Sequence, residues 1–361
     1  MEKTRSKFVD ILIKVVKFIL FFGVGILCIY LCVRGMTAEQ MREVKESALT
    51  AIQGNGWIFI ALAFLAGVLS DYIRALRNRQ LLQPLGYNVR RSSAFFSVMV
   101  CYITNLALPR VGEVLRCTFL HQYERVPFQK TLGTVVTERA VDMVCLLIVL
   151  VTAILANTGI LSRMVVDDLG TTLGEKLGNS FSGMLHNYKF FIILAACIVL
   201  FIIAYRTRDK WGKVGFFAKI KNFFVGMWQG LISIKDLKNP WLFLFYSLAI
   251  WVLYFAEALF CCNAFPFLDG LDILAVYTVF AMGNIGFVVA PGGIGSYPLI
   301  VAYALLLYNV PLTQGFAVGW VAWGVQTVMV LSVGTIALIA ASVMKRQVVA
   351  EEPTQENTKN K

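Results

Sequence analysis

Apolar positions dominate this chain in long, nearly unbroken runs, not in the narrow stripes of a soluble amphipathic helix. The runs cover residues 15–33, 57–73, 94–109, 132–156, 190–205, 241–263, 271–290, 298–308 and 316–344, with polar residues collected between them. About 20 consecutive apolar residues match the hydrocarbon thickness of a bilayer. The pattern therefore predicts an all-α polytopic membrane protein. Two places depart from it. Pro109 and Gly112 interrupt NLALPRVG, and Pro291, Gly292, Gly293 and Gly295 interrupt NIGFVVAPGGIG; each break follows an asparagine, Asn105 or Asn284.

Composition removes the soluble alternative, since 58% of the 361 residues are hydrophobic and 15% charged, against roughly 45–50% and 25% in a globular domain. Charge then decides how the runs are threaded. The net charge is +12, and in a membrane protein such an excess marks cytoplasmic loops before it marks nucleic acid. If every run crossed from a cytoplasmic N-terminus, segment 206–240, with eight Lys/Arg and two acids, would lie outside. That violates the positive-inside bias. Parity returns if 94–121, folded at Pro109, and 271–309, folded at the PGGIG turn, each enter and leave on one side.

Six full spans (15–33, 57–73, 132–156, 190–205, 241–263 and 316–344) and two re-entrant hairpins from opposite faces follow, an inverted repeat. Both termini are then cytoplasmic, as is 74–92 with five Arg and no acid. The alternative is that 94–109 and 271–290 are ordinary spans and the charge rule is weakly obeyed. The basic leader and first run lack a small-residue cleavage site, so they read as a retained span. Residues 1–346 form one transmembrane domain, in which 206–240 has the spacing of a basic amphipathic interface helix. The tail 347–361 is polar and reads as disordered.

Ionisable residues inside a membrane are costly and usually line a cavity or a substrate path. In PRVGEVLR, Arg110, Glu113 and Arg116 recur every third residue and would share one side of a helix starting at Pro109. In TERAVD, Glu138 and Asp142 are one turn apart, and Arg139 is spaced to pair with Asp142. Three arginines facing three carboxylates make a group that is neutral when empty and able to exchange an internal partner for an anionic ligand. Glycines 292, 293 and 295 allow close backbone approach, and Ser296 suits an N-cap. Two half-helix N-termini, each offering free N–H groups, would then face one buried anion. Glu257, alone in LYFAEALF, is protonated, hydrogen-bonded or coupled to proton movement. The only histidines, His121 and His186, form no cluster with cysteines that could hold zinc, so no metal and no cofactor are expected.

PRVGEVLR, TERAVDMV and PGGIG, in this order over about residues 10–345, resemble the transmembrane region of the lysylphosphatidylglycerol synthase family, the flippase-like integral membrane proteins. The resemblance implies site residues at Arg110, Gly112, Glu113 and Arg116, at Glu138, Arg139 and Asp142, and at the turn Pro291, Gly292, Gly293 and Gly295. A glutamate that the family commonly carries after that turn is replaced here by Tyr297. It also implies movement of a polar or phosphate-bearing lipid between leaflets of the cytoplasmic membrane. The partners would be anionic phospholipid or a polyprenyl-phosphate-linked lipid and a separately encoded lipid-modifying enzyme, because the chain ends at Lys361, soon after its last span. Two other classes compete: an integral membrane transferase acting on a polyprenyl phosphate or phospholipid, with Glu138 or Asp142 as base, and an ion-coupled small-solute transporter.

Overall fold

A computed structural model of the chain describes residues 37–107, 111–156 and 235–343. Within them the protein is all-helical. The helices are α1 (Ala38–Thr50), α2 (Gly56–Leu82), α3 (Arg91–Ala107), α4 (Val111–Glu124), α5 (Phe128–Ala156), α6 (Pro240–Asn263), α7 (Ile273–Val289), α8 (Ser296–Leu306) and α9 (Leu312–Val343). Short 3-10 turns at Pro266–Leu268 and Pro291–Gly293 follow α6 and α7. The chain divides into two units, Met1–Leu150 with Met227–Lys361, and Val151–Gly226; of the second, only the last residues of α5 are described. The expected spans at 15–33 and 190–205, most of the amphipathic segment and the tail lie outside the described residues.

Among the described residues four helices are long and apolar enough to cross a membrane, α2, α5, α6 and α9. They coincide with four of the six predicted spans, but α5 and α9 start four residues before the apolar run and α2 ends nine residues beyond it. Nothing breaks the helix between Ile73 and Pro84, so α2 continues to Leu82 and carries Arg74, Arg77 and Asn78 with it. The sequence pattern assigns Arg74 and Arg77 to a cytoplasmic loop. They are instead 5% and 0% exposed, buried in the bundle, because their positions fall on the face of α2 that meets α5 and α6. Another difference is α1, a helix where the pattern shows only a polar loop. Thr37 starts it with a reciprocal capping box to Gln40, and it packs on α9.

The remaining four helices make two hairpins. At 1.5 Å per residue, α3 and α7 are about 25 Å long and α4 and α8 shorter still, against a hydrocarbon core of about 30 Å. The first hairpin, α3–α4, returns to the end from which it started: Arg90 Nε donates to Glu124 Oε1 at 2.6 Å, and Ser93 Oγ donates to the same carboxylate. That end also holds the close of α9, where the Tyr123 hydroxyl donates to the Ala341 carbonyl. The second hairpin, α7–α8, starts and finishes at the other end. There Leu268, Val276, Leu305 and Val310 share one apolar cluster with Ala51 and Ala264.

Both hairpins pack on α9. Against α8 the approach is close because α9 offers Gly315 and Gly319, one turn apart: a Cβ on Gly319 would lie 2.5 Å from Pro298 Cα. This is the small-residue spacing that lets membrane helices touch backbone to backbone. Along α9, Ala317 and Val318 belong to one apolar core and Ala337 and Ala341 to another. The segment between the cores, from Ala322 to Val330, faces a cavity.

Candidate functional site

The tips of the two hairpins meet beside that cavity. Gly292 has φ +63°, a conformation that favours glycine, and the Leu106 side chain lies 3.9 Å from where its Cβ would be. The Gly292 carbonyl accepts a hydrogen bond from Trp323 Nε1 on α9 at 2.8 Å, which pins the second tip. The first tip is pinned by Asn105. Its Oδ1 accepts from the Gly112 N–H at 2.9 Å, occupying one of the free donors that a helix start leaves. Its Nδ2 faces the Glu113 carboxylate at 3.4 Å. Space forces this arrangement, since a Cβ on Gly112 would sit 2.1 Å from the Cys101 carbonyl oxygen. The tip residues Pro109 and Arg110 lie outside the described residues.

Ser296 differs from its expected role. Gly295 is the N-cap of α8, while Ser296 is the first helical residue and donates its hydroxyl to the Gly286 carbonyl at 2.7 Å. A tight α7–α8 contact explains this, because a Cβ on Gly286 would meet Tyr297 Cα at 2.7 Å. Asn284 is also unlike its counterpart Asn105, for its Nδ2 donates to the Phe280 carbonyl of its own helix.

The membrane charges pair differently from their sequence spacing. Arg139 does not join Asp142; it reaches across to Glu113, with Nη2 3.0 Å from Oε1. Asp142 is held by two arginines of α2, with Oδ2 2.6 Å from Arg74 Nη1 and Oδ1 2.7 Å from Arg77 Nη2. Arg116 pairs with Glu138 at 2.8 Å, and both side chains are almost wholly enclosed. Neighbours on one helix project along the axis, whereas facing helices bring guanidinium and carboxylate end to end. Three positions of α5 are thereby tied to α2 and α4, and Asn78 adds a 3.3 Å contact to Thr134.

A cavity of about 450 Å³ lies among α2, α3, α5, α6, α7, α8 and α9. Of the residues singled out in the sequence, Asn105, Arg139, Asp142, Glu257, Asn284, Gly292 and Tyr297 line it. Gly112, Glu113, Arg116, Glu138, Gly293, Gly295 and Ser296 do not. Arg74, Tyr102, Trp251, Tyr254 and Trp323 also line it, and sequence reasoning missed them. For Arg74 a signal existed, the absence of any helix breaker before Pro84. For the aromatic residues there was none, since they lie within uniformly apolar runs.

The cavity wall is rich in donors. Arg139 is the open arginine, its side chain 48% exposed. Arg74 gives one Nη to Asp142 and the other to the Tyr254 hydroxyl at 2.8 Å, which leaves its Nε without an acceptor. Trp251 Nε1 is likewise buried without one. Counting the paired groups, Arg74, Arg77, Arg116 and Arg139 face Glu113, Glu138 and Asp142, so one positive charge is in excess. At the rim stand Met143 on α5 and Phe287 and Val288 on α7, all exposed apolar residues.

Long apolar helices, paired short hairpins and a charged internal cavity define a multi-pass, all-helical membrane protein. The chain belongs to the family described as the lysylphosphatidylglycerol synthase TM region, whose model matches residues 15–334. That family is a membrane domain of lipid-related proteins. No curated protein and no solved structure matched the chain.

Proposed function

We propose that this protein is a lipid translocase that carries a phosphate-bearing headgroup through the cavity while the acyl chains stay in the bilayer. One observation carries the reading. Unsatisfied donors on Arg74 and Trp251 and the half-exposed guanidinium of Arg139 lie behind a rim of exposed apolar side chains. A water-soluble solute gains nothing from such a rim, whereas a lipid can stand in it with its tails outside. The transferase alternative is weakened because its candidate bases are occupied, Glu138 by Arg116 and Asp142 by two guanidiniums.

The chemistry follows from the pairings. An arriving phosphate takes the free Arg74 Nε and competes with Glu113 for Arg139, and in a low-dielectric site such charge-assisted hydrogen bonds are strong. Release of Glu113 loosens the chain Arg139–Glu113–Asn105–Gly112, which holds the first hairpin tip. Headgroup binding is thereby linked to the position of the break. Arg110, the residue just before α4, stays in the proposed phosphate site on its sequence position. In the membrane the hairpins enter from opposite faces, the termini are cytoplasmic, and basic loops gather anionic lipid at about 1 kcal/mol per Lys/Arg near the surface.

Proteoliposomes with a fluorescent phospholipid and an impermeant quencher measure leaflet exchange. Arg139→Ala removes a charge-assisted bond of about 1.5–3 kcal/mol, so exchange slows about ten- to a hundredfold, and Arg139→Lys recovers part of it. Wild-type exchange in a correctly inserted Arg139→Ala protein refutes phosphate binding there.

A further inference from the structure

Two acids, Glu257 in the cavity wall and Asp71 behind it, have no place in the phosphate chemistry. Glu257 on α6 lines the cavity, yet its carboxyl has no hydrogen-bond or ion-pair partner among the described residues. Asp71 on α2 is 1% exposed, and its Oδ2 is buried with no donor. The two acids are neighbours. A Cβ on Gly67 would lie 3.6 Å from Glu257 Oε1, and Asp71 follows Gly67 by one helical turn on the same face. The Glu257 carboxyl feels the charge of Asp71.

The surrounding groups leave them uncompensated. Arg74 is the cation nearest Asp71 on α2, but its Nη atoms are committed to Asp142 and Tyr254. Tyr102 on α3 and Tyr254 on α6 lie within electrostatic reach of Asp71, and Cys261 on α6 and Tyr297 on α8 within reach of Glu257. None of them donates a hydrogen bond to either acid. Buried charges in proteins are paired or bind a cation, and acids at membrane depth mark ion pathways. A helix-pinning role would need a partner that neither acid has.

We propose that Asp71 and Glu257 form a binding site for a monovalent cation, H⁺ or Na⁺, whose occupation drives lipid movement in the same cavity. The driving role rests on the translocase reading; the cation site does not. In proteoliposomes a tenfold pH gradient at uniform Na⁺, or a tenfold Na⁺ gradient at uniform pH, biases the lipid toward one leaflet, by up to about tenfold for one cation per lipid. Which gradient works identifies the cation. Glu257→Gln, which keeps the side-chain shape, abolishes the bias relative to its own gradient-free rate, and Asp71→Asn does the same. Lipid exchange that neither gradient biases overturns the driving role and leaves the translocase standing. A second readout needs no lipid movement. Difference infrared spectra of the purified protein, on changing pH or replacing K⁺ by Na⁺, contain a carboxyl band that Glu257→Gln lacks. If wild type and Glu257→Gln give the same spectra, the cation site is wrong whatever the lipid does.

Discussion

Among the described residues four arginines, Arg74, Arg77, Arg116 and Arg139, form ion pairs inside the helix bundle, and their burial separates their roles. Arg116 and Glu138 enclose each other, with side chains 3% and 2% exposed, whereas Arg139 is 48% exposed in its pair with Glu113. Breaking a buried pair strands a charge at a cost of about 3–5 kcal/mol, while replacing both partners by apolar residues is often close to neutral. Arg116→Met should therefore lower the thermal stability of the detergent-solubilised protein sharply, and the double change Arg116→Met with Glu138→Leu should restore most of it. A double variant as unstable as the single one would show that Arg116 has another partner. At this scale sequence legibility was partial. The types and depth of Glu113, Glu138, Arg139 and Asp142 were readable, because charges stand out against an apolar background. Their pairing was not, since Arg74 and Asp142 are 68 positions apart and Arg139 and Glu113 are 26.

Helices follow their local sequence closely, but contact between helices depends on a few small residues. Gly319 illustrates it: a methyl group there meets Pro298 backbone at 2.5 Å, whereas at Gly324 it meets nothing within 4 Å. Gly319→Ala has to push α8 from α9, and overpacking of this kind costs about 1–3 kcal/mol. Gly324→Ala should leave the melting temperature unchanged or raise it slightly. Equal effects of the two changes, measured by thermal unfolding in detergent, would rule out the close α8–α9 approach. The helix α2 teaches the complementary lesson. A hydropathy run ends at Ile73, but a helix ends where its backbone is broken, and so nine more residues bring Arg74 and Arg77 to Asp142. Amphipathic continuation beyond an apolar run is legible only when the breaker, here Pro84, is given more weight than the first charge.

Among the described residues an apolar cluster lies at each end of the bundle, with a charged cavity between them and a helical hairpin rising from each end. In a membrane this arrangement predicts sidedness. In a background with the eight native cysteines replaced, Arg91→Cys and Gln122→Cys, at the two ends of the first hairpin, should react with an impermeant maleimide from the same face. Asp272→Cys and Asn309→Cys should react from the opposite face. Labelling of Arg91→Cys and Gln122→Cys from different faces would make α3 and α4 spans and dismantle the hairpin topology. Removing Arg74 and Arg77 from the loop count still leaves Arg79, Arg90 and Arg91 in 74–92, and the basic segment 206–240 that suggested the hairpins is untouched by it.

The sequence alone was enough for the membrane class, the positions of α2, α5, α6 and α9, the two Pro/Gly breaks and the family. All of these depend on local hydrophobicity and backbone chemistry, which neighbouring residues decide among themselves. Only the tertiary structure could assign Arg74 to the cavity, separate the enclosed Arg116 from the open Arg139, move the cap of α8 from Ser296 to Gly295, and leave Asp71 Oδ2 buried without a hydrogen-bond donor. Those outcomes are set by which helix faces which, and a charged side chain in an apolar bundle takes the partner that packing brings to it, however distant in the chain.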